Sequence, residues 1–269
     1  MLKARLSDDA AQPLPLVVKI GGSILGGHDT TLEDIVSLQR LGKRMVVIHG
    51  GGQIISDWMK KQGVTPSFVN GLRVTDSTSM EIVLAVLCGL VNKQLVSSIN
   101  SLGGKAMGMS GADGSMLTAT IMGQGLGLVG KVTNVDTTPI HIALANGYVP
   151  VIAPVAVNEK GVIGEDVLLN INGDTAAGEI ALALRAEGIV FLTDVEGVLG
   201  KDREILKNLT QDEAIALIGT EVIAGGMIPK IQACITALGS VKSSRIIDGR
   251  DSSALLDLIN GKNLGTKIE

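Results

Sequence analysis

Short apolar runs that close on glycine set the rhythm of this chain. Leu16-Val17-Val18-Lys19-Ile20 ends in Gly21-Gly22-Ser23, and Arg44-Met45-Val46-Val47-Ile48-His49 ends in Gly50-Gly51-Gly52. Such β-branched runs suit strands buried on both faces of a parallel sheet. Between them, a turn at residues 26–29 leads to Thr30 or Thr31, either of which can cap a helix with Glu33 and Asp34 in its favourable first turn. Leu32, Ile35, Val36 and Leu38 supply its apolar face, and it stops near Gly42. A second helix follows over about 53–62. Strand–helix–strand–helix order predicts a parallel α/β sheet with right-handed crossovers.

Further along, residues 69–75 read as irregular. Asp76, Ser77 or Thr78 then caps a long helix through Val83, Leu87, Val91 and Leu95. Strands are expected at 106–109, 115–121 and 128–135, the last two as a hairpin, followed by a helix at 139–146 and a strand at 149–154. A turn-rich approach at 162–164 leads into 168–174, an alanine-rich helix spans 175–186, and 189–194 is a buried strand. Helices at 211–218, 227–237 and 253–259 and a strand at 245–247 complete the pattern. No linker divides the chain. The βα rhythm restarts near residue 168, so lobes of 1–168 and 169–269 are expected.

Composition narrows the classes. The 269 residues suffice for a large core, but only four are aromatic, so Val, Ile, Leu and Ala must fill it; 35 glycines match many tight strand-to-helix turns. A net charge of -4 argues against a nucleic-acid footprint, which would be basic. No apolar run reaches bilayer length, and residues 1–12 lack the apolar middle of a signal peptide. Cys88 and Cys234 sit in apolar helical contexts without metal-ligand spacing and read as small core residues, with a cytoplasmic location as the expectation.

Some motifs fail on context. Gly125-Leu126-Gly127-Leu128-Val129-Gly130 fits GxGxxG, yet it lies inside the expected hairpin with no helix opening on it. Through Lys131 it nearly matches the Walker A loop, but Val132 stands where a hydroxyl residue is needed. His49-Gly50-Gly51-Gly52 is similar to an esterase oxyanion segment, but the chain has no G-x-S-x-G elbow. What remains is charge at strand ends beside glycine. Lys19 is costly to bury without an anion. Lys19, Gly22, Gly51 and Gly52 fall where adjacent parallel strands end, the place where open α/β sheets bind ligands. Bare amides backed by helix amino-termini there favour phosphate or carboxylate. Asp174 can be an N-cap or a functional acid, Lys230 a solvated flank or a site cation, and Arg73 a bidentate carboxylate clamp or simply exposed.

Taken in order, Lys19-Ile20-Gly21-Gly22-Ser23, His49-Gly50-Gly51-Gly52, Asn70-Gly71-Leu72-Arg73-Val74-Thr75, Asn92-Lys93, Asn170-Ile171-Asn172-Gly173-Asp174-Thr175-Ala176-Ala177 and Gly226-Met227-Ile228-Pro229-Lys230 closely resemble the acetylglutamate kinases of the amino acid kinase family. The resemblance runs from Leu16 to Gly265-Thr266-Lys267-Ile268. It implies a three-layer αβα sandwich around a mainly parallel open sheet, and ATP-dependent phosphorylation of the side-chain carboxylate of N-acetyl-L-glutamate to an acyl phosphate, in arginine biosynthesis. Lys19 and Lys230 would flank the transferring phosphoryl group and Asp174 would orient them. Gly22, Gly51 and Gly52 would donate backbone N–H groups, Arg73 would grip the α-carboxylate, and Asn170 would hydrogen-bond the substrate. ATP would lie near Asp194, Val195, Glu196, Gly197, Val198, Leu199, Val222, Ile223, Ala224 and Met227, in the second lobe. Its Mg2+ would be held by phosphates and water with no protein ligand.

By the same resemblance the first lobe would bind acetylglutamate and form a homodimer. The short polar amino-terminus suggests the form that is not inhibited by arginine. The sister kinase acting on an aminoadipate derivative is the nearest alternative, and Cys88-Gly89-Leu90-Val91-Asn92-Lys93 resembles both branches; Asn170-Ile171-Asn172 favours acetylglutamate. A non-catalytic amino-acid sensor on the same fold would not need both lysines.

Overall fold

The computed structural model describes residues 13–22, 30–162 and 167–269. The expectations for residues 1–12, Ser23, the turn at 26–29 and the turn at 163–164 lie outside them. Elements follow in chain order. β1 (Leu16–Ile20), α1 (Thr31–Arg40), β2 (Met45–His49) and α2 (Gly52–Lys61) come first, then β3 (Phe68–Val69) and β4 (Leu72–Arg73). α3 (Ser77–Leu84) runs through a π-helical stretch, Ala85–Val91, into α4 (Asn92–Ser101). β5 (Ala106–Ser110), β6 (Leu117–Ile121), β7 (Gly130–Val135), α5 (Thr138–Ala145), β8 (Val149–Ala153), β9 (Val155–Asn158) and β10 (Leu168–Asn170) follow. α6 (Gly173–Leu184), β11 (Gly188–Thr193), β12 (Asn208–Leu209), α7 (Gln211–Gly219), α8 (Met227–Ala237), β13 (Ser244–Asp248), α9 (Ala254–Ile259) and β14 (Thr266–Ile268) complete the chain.

The main sheet has the order β12-β14-β13-β11-β1-β2-β8-β5. Its pairs are parallel except β13 with β14. β1 lies between β11 and β2, so strand order reverses at its carboxyl end, the switch point at which such sheets bind ligands. A second sheet, β10-β9-β6-β7, contains the expected hairpin of β6 and β7.

Strand alternation sorts each run into two cores. Val17, Val46, Ile48, Ile189 and Phe191 pack with α6 and α8 residues such as Ala177, Ile180, Ile231 and Cys234. Leu16, Val18, Ile20, Met45, Val47, Val190 and Leu192 pack on the other side with Ile35, Ile55, Val83, Leu87, Leu95 and Leu255. This is the expected three-layer αβα arrangement. Parity therefore aims Lys19, which follows Val17 by two, at α6 and α8. It aims His49, which follows Val47 by two, at the opposite layer.

Several details differ from the sequence reading. Residues 69–75 are not wholly irregular: Phe68–Val69 and Leu72–Arg73 form a two-stranded hairpin, with Asn70 and Gly71 both at positive φ in its turn. Strand 115–121 begins only at Leu117, because Asp113–Ser115 is a helical turn. The short strands β9, β10, β12 and β14 were not expected. The continuous helix Ser77–Ser101 is, against expectation, long and apolar enough by length and composition to cross a bilayer, an 18-residue stretch of it having a mean hydropathy of 1.8. Here Val83, Val86, Leu87, Val91, Leu95 and Ile99 are buried on the sheet instead. Cys234 is buried and Cys88 half-buried, both as free thiols; burial pushes the Cys88 thiol up to about 11 and the Cys234 thiol up as well.

The failed GxGxxG has a structural purpose. Gly127 sits at φ +67, where a Cβ would approach the Thr75 carbonyl oxygen to 2.3 Å. It lies in the connection between β6 and β7 and clasps Thr75, which bonds to Leu126 and Leu128 on either side of it.

Candidate active site

Lys19 and two helix amino-termini meet at the carboxyl end of β1. α6 is capped by Asn172, whose Oδ1 accepts from the Asp174 and Thr175 amides at 2.9 and 3.1 Å. The N-cap of α6 is thus Asn172, and Asp174 is released from that role. Its carboxylate forms an ion pair with Lys19 at 2.7 Å through Oδ1 and with Lys230, from the first turn of α8, at 3.2 Å through Oδ2. Lys230 also donates to the Gly226 carbonyl at 3.3 Å. Lys19 and Asp174 are buried at 6% and 5% exposure, and Lys230 is half-buried, so the alternative of a solvated flank is excluded for it. Burial works to raise the Asp174 carboxyl, but the combined charge and hydrogen bonds of the two lysines outweigh it and hold it below the usual carboxylate range. The result is an ionised carboxylate shared by two cations, with one positive charge left over.

The glycines crowd this point from the other strands. A Cβ on Gly22 would come within 3.1 Å of the Gly51 nitrogen and 3.2 Å of the Gly52 nitrogen, so the two loops converge backbone to backbone. Gly173 belongs to the same wall, since a Cβ there would lie 3.5 Å from Lys19 Cε. A cavity of about 190 Å³ opens between these loops, lined by Lys19, Gly22, Gly50, Gly51, Gly52, Arg73 and Asn170, with Ile55, Leu87, Val129 and Ile171 as apolar walls.

Arg73 is buried at 7% exposure. Its Nη2 donates to the Gly52 carbonyl at 2.7 Å and to Ser56 Oγ at 2.8 Å, while Nη1 reaches Met59 Sδ at 3.1 Å. The cross-strand partner Phe68 stacks on it, 4.7 Å from Cζ to the ring centroid. None of these partners is a carboxylate, and burial pushes the guanidinium down from its ordinary value. Asn170 Nδ2 donates to Thr75 Oγ1 at 3.1 Å, and Thr75 Oγ1 donates to the Arg73 carbonyl at 2.9 Å, tying the two side walls together. Ser56 and Phe68 were not singled out in the sequence reading, and Thr75 and Asn172 appeared there only inside quoted motifs, without a role of their own. The register Phe68-x₄-Arg73 across Asn70-Gly71 was the one available hint.

The other expected residues lie apart from this cavity's lining. Asp194, Val195 and Glu196 are exposed just beyond the carboxyl end of β11, next to β1. Val198 and Ile223 turn their side chains into the core at 1% and 3% exposure; Val198 N bonds to Thr266 Oγ1, and Gly197 packs against the same hydroxyl. Leu199 and Ala224 are exposed, Val222 half-buried, and Met227 opens α8 one turn before Lys230. Among the described residues no three His, Cys, Asp or Glu side chains cluster as metal ligands would.

Residues 15–248 match the model of the amino acid kinase family. The chain is 44% identical over 254 residues to the acetylglutamate kinase of Dehalococcoides mccartyi, covering 94% of this chain and 93% of that protein. Its structure superposes on N-acetylglutamate synthase from Neisseria gonorrhoeae, solved with coenzyme A and N-acetyl-glutamate, with a TM-score of 0.82 at 27% identity, covering all of this chain and 63% of the other. Giardia lamblia carbamate kinase bound to AMP-PNP shares the fold, with a TM-score of 0.67 at 17% identity over 95% of this chain and 98% of that one.

Proposed function

The chain belongs to the amino acid kinase family, and from that premise we propose that it transfers the γ-phosphoryl group of ATP to the side-chain carboxylate of N-acetyl-L-glutamate, in arginine biosynthesis. The observation that carries this reading is Asp174 buried between Lys230 and Lys19, the lysine that lines a glycine-walled cavity. An acyl carboxylate is already ionised at neutral pH and needs no base. What it needs is cancellation of charge as one anion approaches another, with the reacting groups held in line. The carboxylate oxygen displaces ADP from the γ-phosphorus to form the acyl phosphate. Two lysines held ready by one carboxylate suit that demand, and the Gly22, Gly51 and Gly52 amides add donors where charge develops.

Arg73, buried without an acidic partner among the described residues, serves the substrate's α-carboxylate, and Asn170 a neutral polar group of the same substrate. The nucleotide lies along Asp194, Val195, Glu196, Gly197, Val198, Leu199, Val222, Ile223, Ala224 and Met227. Val198 and Ile223 contribute backbone only, because their side chains are in the core. Mg2+ enters with ATP, held by phosphates and water. In this reading residues 1–168 bind acetylglutamate and form a homodimer, residues 169–269 bind ATP, and the enzyme is cytoplasmic.

Lys19→Ala and Lys230→Ala are each expected to lower kcat about 10³-fold with little change in the KM for acetylglutamate, measured by coupled ADP release. Near-normal turnover in either would remove that lysine from the mechanism. Arg73→Ala is expected to act chiefly on the KM for acetylglutamate; an unchanged KM would place the carboxylate clamp elsewhere. Comparing acetylglutamate with acetylaminoadipate in the same assay tests the substrate, since one methylene is worth about 1–3 kcal/mol of discrimination.

A further inference from the structure

His49 is wholly buried, and its side chain faces the layer opposite the lysines. Its Nδ1 lies 3.0 Å from the Gly50 carbonyl oxygen, and its Nε2 lies 3.2 Å from Asn92 Nδ2. The orientation of the Asn92 amide is fixed by its other contacts. Nδ2 also reaches the Val151 carbonyl at 2.8 Å and the Met109 carbonyl at 3.3 Å, both acceptors, while Oδ1 takes the Lys93 ammonium at 3.0 Å. Asn92 Nδ2 is therefore the donor, Nε2 the acceptor, and the ring proton sits on Nδ1, donated to Gly50. Gly108 admits this arrangement, since a Cβ there would meet Asn92 Oδ1 at 2.1 Å.

The consequence follows from the peptide plane. In a trans peptide the C=O of Gly50 and the N–H of Gly51 point in opposite directions. A ring that holds the Gly50 oxygen on its own side turns the Gly51 N–H to the other side, toward Gly22 and the cavity. We propose that His49, held by Asn92, is a positioning residue that aims the Gly51 amide at the transferring phosphoryl group without touching any substrate. The inference rests on the phosphotransfer reading for its target and on geometry alone for the ring's bonding.

Two measurements test it. In kinetics, His49→Asn keeps a side-chain N–H near the place of Nδ1, whereas His49→Gln matches the ring better in length but presents its amide near the place of Nε2. His49→Asn is expected to stay within about threefold of the wild-type kcat, and His49→Gln and His49→Ala to lose about 10- to 100-fold in kcat with both KM values little moved. A filler role would reverse the order, so a Gln variant as active as the Asn variant, or a loss confined to KM, overturns the proposal. In ¹⁵N NMR of the His28→Gln/His141→Gln protein, the single remaining ring is expected to carry its proton on Nδ1 from pH 8 to 6; a proton on Nε2 overturns it, whatever the variants do. A wild-type enzyme inert toward acetylglutamate would sink the functional reading and leave the NMR result standing.

Discussion

At the scale of single residues, the chain places its charges where they are expensive and then matches them. Lys19 stood out in the sequence as a lysine inside an apolar strand, whereas Asp174 and Lys230 read equally as a helix cap and a solvated flank and were picked out only by the ordered resemblance. The grip on Arg73 was not legible there, because Ser56 and Phe68 are ordinary residues brought to it by a helix and a hairpin turn. His49 adds a dependence on pH. Burial, and to a lesser degree the charges of Lys19 on β1 and Lys93 on α4, lowers its pKa to about 4 from 6.5, against the bond to Gly50 that works the other way. Between those values the unfolded chain takes up a proton that the folded chain refuses, so stability falls as pH drops, by about 2 kcal/mol from pH 7 to 5. Asp174 has the depressed pKa of an acid, so its contribution is present above about 3.8 and constant over this window. Asp34 and Glu179, both raised by burial, act in the opposite direction. Urea unfolding of the wild type and His49→Asn at both pH values isolates the difference; equal losses would deny the histidine this part.

At the scale of elements, the site depends on how closely α6 and α8 cross. A Cβ on Gly178, one turn after Asp174, would lie 2.7 Å from the Ala233 carbonyl oxygen and 3.0 Å from its Cα. Glycine there lets the two backbones approach, and that approach sets the reach of Lys230 to Asp174. Gly178→Ala is expected to cost about 1–3 kcal/mol by overpacking. It should also lower kcat by more than KM, because the helices must part and carry the lysine away. A variant destabilised to that degree with unchanged kcat would show that the crossing does not govern the pair. Elements of eight or more residues with a steady period were legible from their spacing, as were six strands of the main sheet, β1, β2, β5, β8, β11 and β13. β9, β10, β12 and β14 are two to four residues long and owe their pairing to distant partners, which no local period records.

At the scale of the molecule, the boundary expected near residue 168 does not interrupt the main sheet. β1 hydrogen-bonds to β11 along five paired positions, and the sheet passes from one half of the chain to the other without a break. The two halves are therefore expected to unfold together. Trp58, the single tryptophan, reports on the first half, and far-UV circular dichroism reports on both. Coincident denaturation curves from the two probes are the expected result, and a fluorescence transition that precedes the dichroism would mean that the halves are independent.

The π-helical stretch Ala85–Val91 also bears on how this chain can change length. A wide turn of this kind is one residue more than an ordinary helix requires. On one side of it Leu87 meets the glycine loop, where a Cβ on Gly51 would be 2.7 Å away; just after it Asn92 meets His49. Gly89, between them, is exposed and touches nothing that a side chain would reach. Deleting it would return the wide turn to an ordinary helical one and leave Asn92 on nearly the same side of the helix as Leu87, because the wide turn absorbs its extra residue locally. This surface position is thus expected to accept the loss of one residue more readily than the regular helix on either side, where a deletion would rotate every later side chain by about 100°.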